Sequence, residues 1–309
     1  MELILQQISN WTLAHTKRTP AGQAVPVLSK EAILRKYKRA VALALNDLFL
    51  ADKAIITGEV VGNALSSGFI AQHIFTKLDI INDQWARDTF GPLLGTIAGV
   101  NGIATAESIS RAIDSAMAFD TTTPAMTAFI EKESFKFLKK FNSQQIANLR
   151  SALTNSLANN YNASTARELM RGSITLSERE GTWLTNYYNR IYDEAIKNGS
   201  KPARATRLAI KKTGIRQRFY LNNRIKRIQV TEISRAKHFG EINSFNQGID
   251  KGKFKSARKT WHKTNDTDNW PSSITNDGQT VDINKNFRSE DPYPNEINEK
   301  CVLSYKIFK

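Results

Sequence analysis

Cysteine is almost missing from the chain, with Cys301 standing alone among 309 residues. A single thiol excludes an internal disulfide framework and suits assembly in a reducing compartment. Clean apolar runs are scarce too. Residues 90–106 carry no charge, but they hold Pro92, Asn101 and four glycines (Gly91, Gly95, Gly99, Gly102), so their hydrophobicity is too dilute for a spanning helix. The Gly91, Gly95, Gly99 series permits close helix contact, and a packed helix or a loop is preferred over a conduit-forming segment. A secretory pattern is absent as well. Residues 1–19 meet Glu2 at once and carry Lys17 and Arg18 only after the apolar residues, the reverse of a signal peptide.

Acidic residues are nearly excluded from one region, and that imbalance is the most informative feature. Residues 201–263 hold 18 of the 44 Lys and Arg but only three of the 29 Asp and Glu (Glu232, Glu241, Asp250), leaving 26 of each sign elsewhere. All of the excess charge therefore lies in about one fifth of the molecule, which is what a polyanion-binding face requires. The density is too one-sided for i,i+4 ion pairing to account for it. Contacts of this kind grip phosphate without reading sequence and weaken steeply with salt.

The length suggests two domains and a core that needs no staples. Ser29 is placed to cap a helix in which Ile33, Tyr37, Val41, Ala44, Leu48 and Ala51 form one apolar stripe. Thr123-Pro124 opens another helix, carrying Phe129, Ile130, Phe137 and Phe141. Ser143 starts a further stripe with Ile146, Leu149, Leu153 and Leu157. Glu178-Arg179-Glu180 resembles the paired-glutamate element of an ADP-ribosyltransferase. However, Ser177 and Glu180 stand three apart before Trp183, Leu184, Tyr187, Ile191 and Ala195, which is a capping box opening an amphipathic helix.

Gly199 and Pro202 punctuate the chain before a short basic helix over residues 202–213. A long basic helix follows over 215–247, with Ile225, Ile228, Ile233, Ala236, Phe239 and Ile242 as its apolar members. Within it, Glu232 and Arg235 are spaced to pair at i,i+3. Beyond Gly248, residues 259–263 alternate like a strand, Asn276-Asp277-Gly278 signals a turn, and 301–308 is a second β-prone run. The expected fold is mainly α with a small α+β module at the carboxyl terminus. It divides into a helical region over 1–122, a helical region with the basic helices over 123–248, and the module over 249–309.

Several motifs in this order resemble the Mu F-like, or phage head morphogenesis, minor capsid protein family. They are Ile174-Thr175-Leu176-Ser177, the basic helix with Arg227-Ile228-x-x-Thr231-Glu232-x-x-x-Ala236, and Lys259-x-Trp261-His262. Asp277-Gly278-x-x-Val281, Asp291-Pro292 and Ile297-Asn298-x-x-Cys301-x-Leu303-Ser304-Tyr305 continue the series. The likeness covers roughly residues 125–306, and its specificity lies in the order of elements that are individually weak. Two places depart from the pattern. Trp270-Pro271-Ser272-Ser273 replaces a basic or histidine-containing stretch, and Glu299-Lys300-Cys301 replaces a Cys-Arg-Cys end, which removes any role for a second cysteine.

The resemblance implies a non-enzymatic, low-copy head protein made in the host cytoplasm and carried inside the capsid at the portal vertex. It would associate with the portal, contact packaged double-stranded DNA non-specifically and meet scaffold or capsid protein, with no cofactor, metal or membrane. Arg204, Arg207, Lys211, Lys212, Arg216, Arg218, Arg224, Lys226 and Arg227 are the expected DNA-facing cations, while apolar stripes within residues 30–160 are expected to dock on the portal or on sister copies. Thr231, Glu232, Trp261, His262, Asp277, Gly278, Asp291, Pro292 and Cys301 carry the family signature. A metal site from His262 and Cys301 with Asp266 or Asp268 matches no standard zinc spacing. The rival classes are an enzyme acting on DNA or transferring ADP-ribose, and a DNA-ejection protein working at a membrane. Clustered carboxylates for the first are not patterned, and His238-Phe239-Gly240-Glu241 lacks the His-x-x-Arg of a tyrosine recombinase.

Overall fold

A computed structural model of the chain describes residues 22–263, 271–294 and 301–308. The expectations for residues 1–19, and the positions of Asp266, Asp268, Trp270, Ile297, Asn298, Glu299 and Lys300, lie outside the described residues. Among the described residues 73% are helical, and a four-stranded antiparallel sheet is built mainly from the carboxyl-terminal segment, so the fold is mainly α with a small α+β module.

The elements in chain order are β1 (Gln23–Val25), α1 (Lys30–Ile55), α2 (Gly58–Ser67), α3 (Gln72–Trp85) and a π-helical turn (Ala86–Phe90). They continue with α4 (Gly91–Ile113), α5 (Pro124–Ala158), α6 (Ala163–Ser173), α7 (Glu178–Lys197) and α8 (Pro202–Asp250). The last are β2 (Ser256–His262), α9 (Pro271–Asn276), β3 (Thr280–Asp282) and β4 (Val302–Phe308). Two breaks expected from the sequence do not occur. Ser143 turns its hydroxyl back to the Lys140 carbonyl (2.9 Å) instead of capping a new helix, so α5 runs on. Gly214 likewise sits inside α8 without ending it.

Contacts divide the chain into two compact units that interleave along the sequence, unlike the three consecutive segments read from it. Long helices that enter one unit and leave in the other produce this interleaving. One unit comprises Met1–Val41, Gly91–Glu131 and Arg227–Lys309; the other comprises Ala42–Phe90 and Lys132–Lys226.

The first unit contains the sheet, in the order β1-β4-β2-β3. Strand alternation sends Ala257, Lys259 and Trp261 of β2 and Leu303, Tyr305 and Ile307 of β4 inward. The register pairs Lys259 with Tyr305 and Trp261 with Leu303. The amino-terminal region, expected to be helical, supplies the edge strand β1, whose Val25 pairs with Tyr305. Ile109 and Ile113 of α4, Phe245 of α8, Phe254, Phe287 and Cys301 fill the core against this face. Phe245 stacks on Tyr305 at 4.8 Å, and Phe287 meets Trp261 edge-on at 5.0 Å. Each buried aromatic of this kind adds about 2–3 kcal/mol.

Of the stretch over residues 90–106, Phe90 ends the π-helical turn and the remainder is part of α4, which owes its glycines to packing. A Cβ at Gly102 would stand 2.4 Å from the Phe119 ring, and one at Gly95 would stand 2.6 Å from Ile130. From the other side, a Cβ on Gly240 of α8 would reach 2.1 Å from the Ala98 carbonyl oxygen, so these two helices touch backbone to backbone. Among the described residues no helix is long and apolar enough to cross a membrane.

The second unit is helical. Ile56, Val61, Ile74, Phe75, Leu78, Leu149, Leu153, Met170 and Ile174 form its main core, and Leu169, Tyr188, Ile191 and Ala209 form a smaller one beneath α7 and α8. A chain of rings joins Trp85 to Phe90 (4.9 Å), Phe90 to Phe137 (4.9 Å) and Phe137 to Phe141 (5.8 Å). Ser177 and Glu180 form the expected capping box: Ser177 Oγ accepts from the Glu180 amide (3.4 Å), and Glu180 Oε2 accepts from the Ser177 amide (3.2 Å).

Candidate nucleic-acid interface

The basic helix α8 starts with Pro202 at its first turn, where a missing amide is harmless and the fixed φ suits the helix. In the second unit its buried side is made by Ala205, Ala209 and Thr213, and Ile225 is covered on the opposite side, where the outward stripe ends. Arg204, Arg207, Lys211 and Arg218 fall on one outward stripe about 21 Å long at 1.5 Å per residue. Lys212 and Lys226 are exposed on the flank of this stripe, and Arg216 and Arg227 are exposed further round the helix. Among the described residues Arg204, Arg207, Lys211, Lys212, Arg218 and Lys226 have no carboxylate within ion-pairing distance. Cations without internal partners keep their full field for an external anion, and a row of them matches repeating phosphates.

Arg224 departs from the expected set. It is 7% exposed, donates from Nη1 to the Thr175 carbonyl (2.9 Å) and from Nη2 to Gln144 Oε1 (2.6 Å), and lies 5.0 Å over the Phe141 ring. Thus Arg224 ties α8 to α5 and to the turn before α7, and it cannot face DNA. Its position three residues before exposed Arg227 concealed this, because composition does not reveal which side of a helix is covered.

The later cations of the basic segment also leave the surface row. Arg235 pairs with Glu232 at 3.0 Å, as the spacing led one to expect, and Lys237 pairs with Glu241 at 2.5 Å in a fully buried site. Lys251 and Lys253 donate to the Ala118 carbonyl (2.9 Å) and to Ser115 Oγ (3.3 Å). Lys259 is buried on the inner face of β2, with Nζ on the Pro292 carbonyl (2.7 Å) and over the Phe287 ring (5.3 Å). Burial pushes its amine down to about 8. The expectation of one cationic face across residues 201–263 is therefore corrected: Arg224, Lys237 and Lys259 are buried, exposed Lys251, Lys253, Lys255 and Arg258 lie beyond α8 in the first unit, and the row on α8 lies within 204–227.

The sequence reading also missed a cluster of exposed rings beside this row. Trp183, taken as an apolar member of α7, is 43% exposed, and the Arg179 guanidinium lies 4.3 Å from its ring centre. Its neighbour Tyr220 stands 6.2 Å away on α8. Arg216 lies 5.2 Å from the Tyr220 ring, 5.5 Å from Phe219 and 5.9 Å from Tyr187, with Nε donating to the Tyr220 hydroxyl (3.2 Å). Arg190 covers Tyr187 at 5.1 Å. The signal was present as rings at Trp183 and Tyr187, one turn apart, and as Arg216-x-x-Phe219-Tyr220, but periodicity cannot tell an exposed stripe from a covered one.

The signature residues serve the first unit's architecture. Trp261 is fully buried against Phe287. The Trp261 carbonyl accepts from the amide of Gly278, whose φ of +73 explains the need for glycine. Asp277 Oδ1 accepts from the Lys263 amide (2.8 Å), and the Pro292 carbonyl holds Lys259. The Asp291 carbonyl accepts from the Phe287 amide (3.0 Å). Thr231 Oγ1 bonds the Arg227 carbonyl (2.8 Å) inside α8, where Glu232 holds Arg235. His262 and Cys301 point to opposite sides. His262 is exposed with Nε2 at 2.6 Å from Ser304 Oγ, and Cys301 is buried in the core. Among the described residues no three His, Cys, Asp or Glu side chains gather as metal ligands.

Comparison of the chain with protein-family models, with curated proteins and with solved structures yields no match.

Proposed function

We propose that this chain is a minor head, or head morphogenesis, protein of a phage, which associates with the portal and holds packaged double-stranded DNA without reading its sequence. The observation that supports the DNA role best is the exposed row on α8, in which Arg204, Arg207, Lys211, Lys212, Arg218 and Lys226 face outward without a carboxylate among the described residues. Lys and Arg on a rigid helix supply the sequence-independent, phosphate-directed part of DNA affinity. The phage setting is supported by the order of signature motifs from Ile174 to Tyr305. In this reading the protein is non-enzymatic, is made in the host cytoplasm and ends inside the capsid at the portal vertex.

A filter-binding titration with random-sequence duplex tests the DNA role. If the row meets about five phosphates, the logarithm of affinity falls against the logarithm of salt with a slope of about −4 to −5. Salt-insensitive or absent binding removes that role. Co-purification with a phage portal protein co-expressed with this chain tests the assembly role, and a portal that never retains the chain removes it.

A further inference from the structure

Beside the cationic row, the surface formed by α7 and the first half of α8 carries rings that duplex DNA has no use for. A duplex keeps its base faces stacked and presents phosphates and groove edges, so a protein aromatic reaches a base face only after that stack is opened, at a cost of a few kcal/mol. A single strand presents both its phosphates and its base faces, and binds where cations and exposed rings alternate. Trp183 and Phe219 are 43% and 54% exposed, and Tyr187 and Tyr220 are half-buried beside them. Tyr187 also packs against the small core of Leu169, Tyr188, Ile191 and Ala209, whereas Trp183 and Phe219 lie outside the cores, and removing their exposed faces from water against bases is favourable.

The cations here are arginines already seated on the rings. Arg179 lies on Trp183, Arg190 on Tyr187, and Arg216 among Tyr187, Phe219 and Tyr220, fixed by its bond to the Tyr220 hydroxyl. A guanidinium held in this way stacks on a base as well as meeting phosphate, and little side-chain entropy remains to be lost on binding. The phosphate-directed row continues outward from this cluster through Lys212, Lys211 and Arg207.

We propose that the surface of Trp183, Tyr187, Arg216, Phe219 and Tyr220 binds unpaired nucleotides by base stacking, so that the protein prefers single-stranded over duplex nucleic acid. This rests on the reading of the α8 row as a nucleic-acid grip and adds a second, base-directed element to it. The occupant is a single strand and not an acidic peptide, because a peptide would meet the cations but offer no base faces to the exposed Trp183 and Phe219 rings.

The test measures fluorescence anisotropy of the full chain with three probes of equal length, about sixteen nucleotides, the upper end of site sizes for such surfaces. These are a thymidine strand, an abasic strand of the same charge, and a random duplex. The thymidine strand is expected to bind about tenfold more tightly than the abasic strand for each base engaged. Trp183→Ala and Phe219→Ala are each expected to weaken the thymidine strand about tenfold and to leave the other two probes unchanged. Lys211→Gln with Lys212→Gln is expected to weaken all three. Circular dichroism of the two exposed-ring variants, matched to the parent, assigns any loss to the surface. Equal binding of the thymidine and abasic strands, insensitive to both ring substitutions, overturns the stacking proposal while the duplex grip stands. If no probe binds, the grip itself falls and the proposal with it. If the ring substitutions leave every probe untouched but break self-association or portal retention, the surface is a protein interface and the proposal is overturned.

Discussion

Tyr305 of β4 donates its hydroxyl to Oε2 of Glu241 on α8 at 3.0 Å and so closes a buried cluster that joins sheet to helix. The same carboxylate receives Lys237 Nζ at 2.5 Å and faces His238 Nδ1 at 3.0 Å. Burial opposes the Glu241 charge, but Lys237 and His238 outweigh it and hold the carboxyl below its usual range. Burial and the Glu241 charge together drive the Tyr305 hydroxyl upward. Among the described residues this is the most completely buried ionic group of the first unit.

Removing one member of such a group is expected to cost more than removing a neutral bond. Glu241→Gln leaves the Lys237 ammonium buried without its counter-charge, a loss of about 3–5 kcal/mol. Tyr305→Phe deletes one charge-assisted bond, about 1–3 kcal/mol. Urea unfolding of the full chain, followed by fluorescence and circular dichroism, checks the order. Equal losses for the two variants mean that Lys237 finds another partner.

The two units are expected to respond to pH in opposite directions. Burial, then the Lys237 charge, depresses His238 to about 4 from 6.5. The unfolded chain therefore binds the extra proton between those values, so this stability is full above pH 6.5 and is lost as pH falls towards 4, by up to about 3 kcal/mol. In the second unit, burial raises Asp52 to about 7 from 3.8 against the bond from Gln145 (2.5 Å). There the folded form holds the proton, so stability is full below about pH 4 and is lost as pH rises to 7, by about 4 kcal/mol. Asp52→Asn is expected to remove the second dependence and to stabilise the protein at pH 8. Because the two slopes oppose one another between pH 4 and 6.5, the difference in unfolding free energy between the parent and Asp52→Asn, followed from pH 4 to 8, isolates the Asp52 slope, and a variant with the parent's pH dependence rules out Asp52 as its source.

How much of this was legible in the chain follows from range. The Ser177–Glu180 box and the Glu232–Arg235 pair were readable because their partners stand three residues apart. The alternation in β2 was readable because one face is buried, and β4 was readable only as an apolar, β-prone run. β1 was not, since three residues give no period and its partner Ile307 lies almost the whole chain away. The unbroken α5 was missed because Ser143 carries a capping residue's chemistry, and only the neighbouring Lys140 carbonyl decides where its hydroxyl goes. Of the site, the cation row was visible as composition. The burial of Arg224 and the exposure of Trp183 depend on which sides of α8 and α7 are covered, which is tertiary information.

Arg224 and Arg218 therefore separate structure from binding within one helix. Arg224→Ala removes one buried and one part-buried hydrogen bond and a ring contact, and is expected to destabilise the second unit by about 3 kcal/mol. Arg218→Ala is expected to leave stability within about 0.5 kcal/mol and to reduce the salt slope of duplex binding by about one. Thermal melts and salt titrations of the same two preparations distinguish the outcomes. A changed salt slope in a fully folded Arg224→Ala protein contradicts the assignment.

Two glycines of α8 test whether its path is continuous and closely packed. Around Gly214 no atom lies within 4 Å of an added Cβ, so Gly214→Ala inside a helix is expected to stabilise the protein by about 0.5–1 kcal/mol. At Gly240 an added Cβ meets the Ala98 carbonyl oxygen at 2.1 Å, and that oxygen belongs to α4's backbone, which cannot swing aside as a side chain would. Gly240→Ala must push the helices apart and reopen the core around Ile109 and Phe245, at about 3 kcal/mol or more. Chemical denaturation of the pair gives the sign of each effect. If Gly214→Ala destabilised the protein, α8 would have to bend or break at that position, and the cation row would no longer lie along one straight helix.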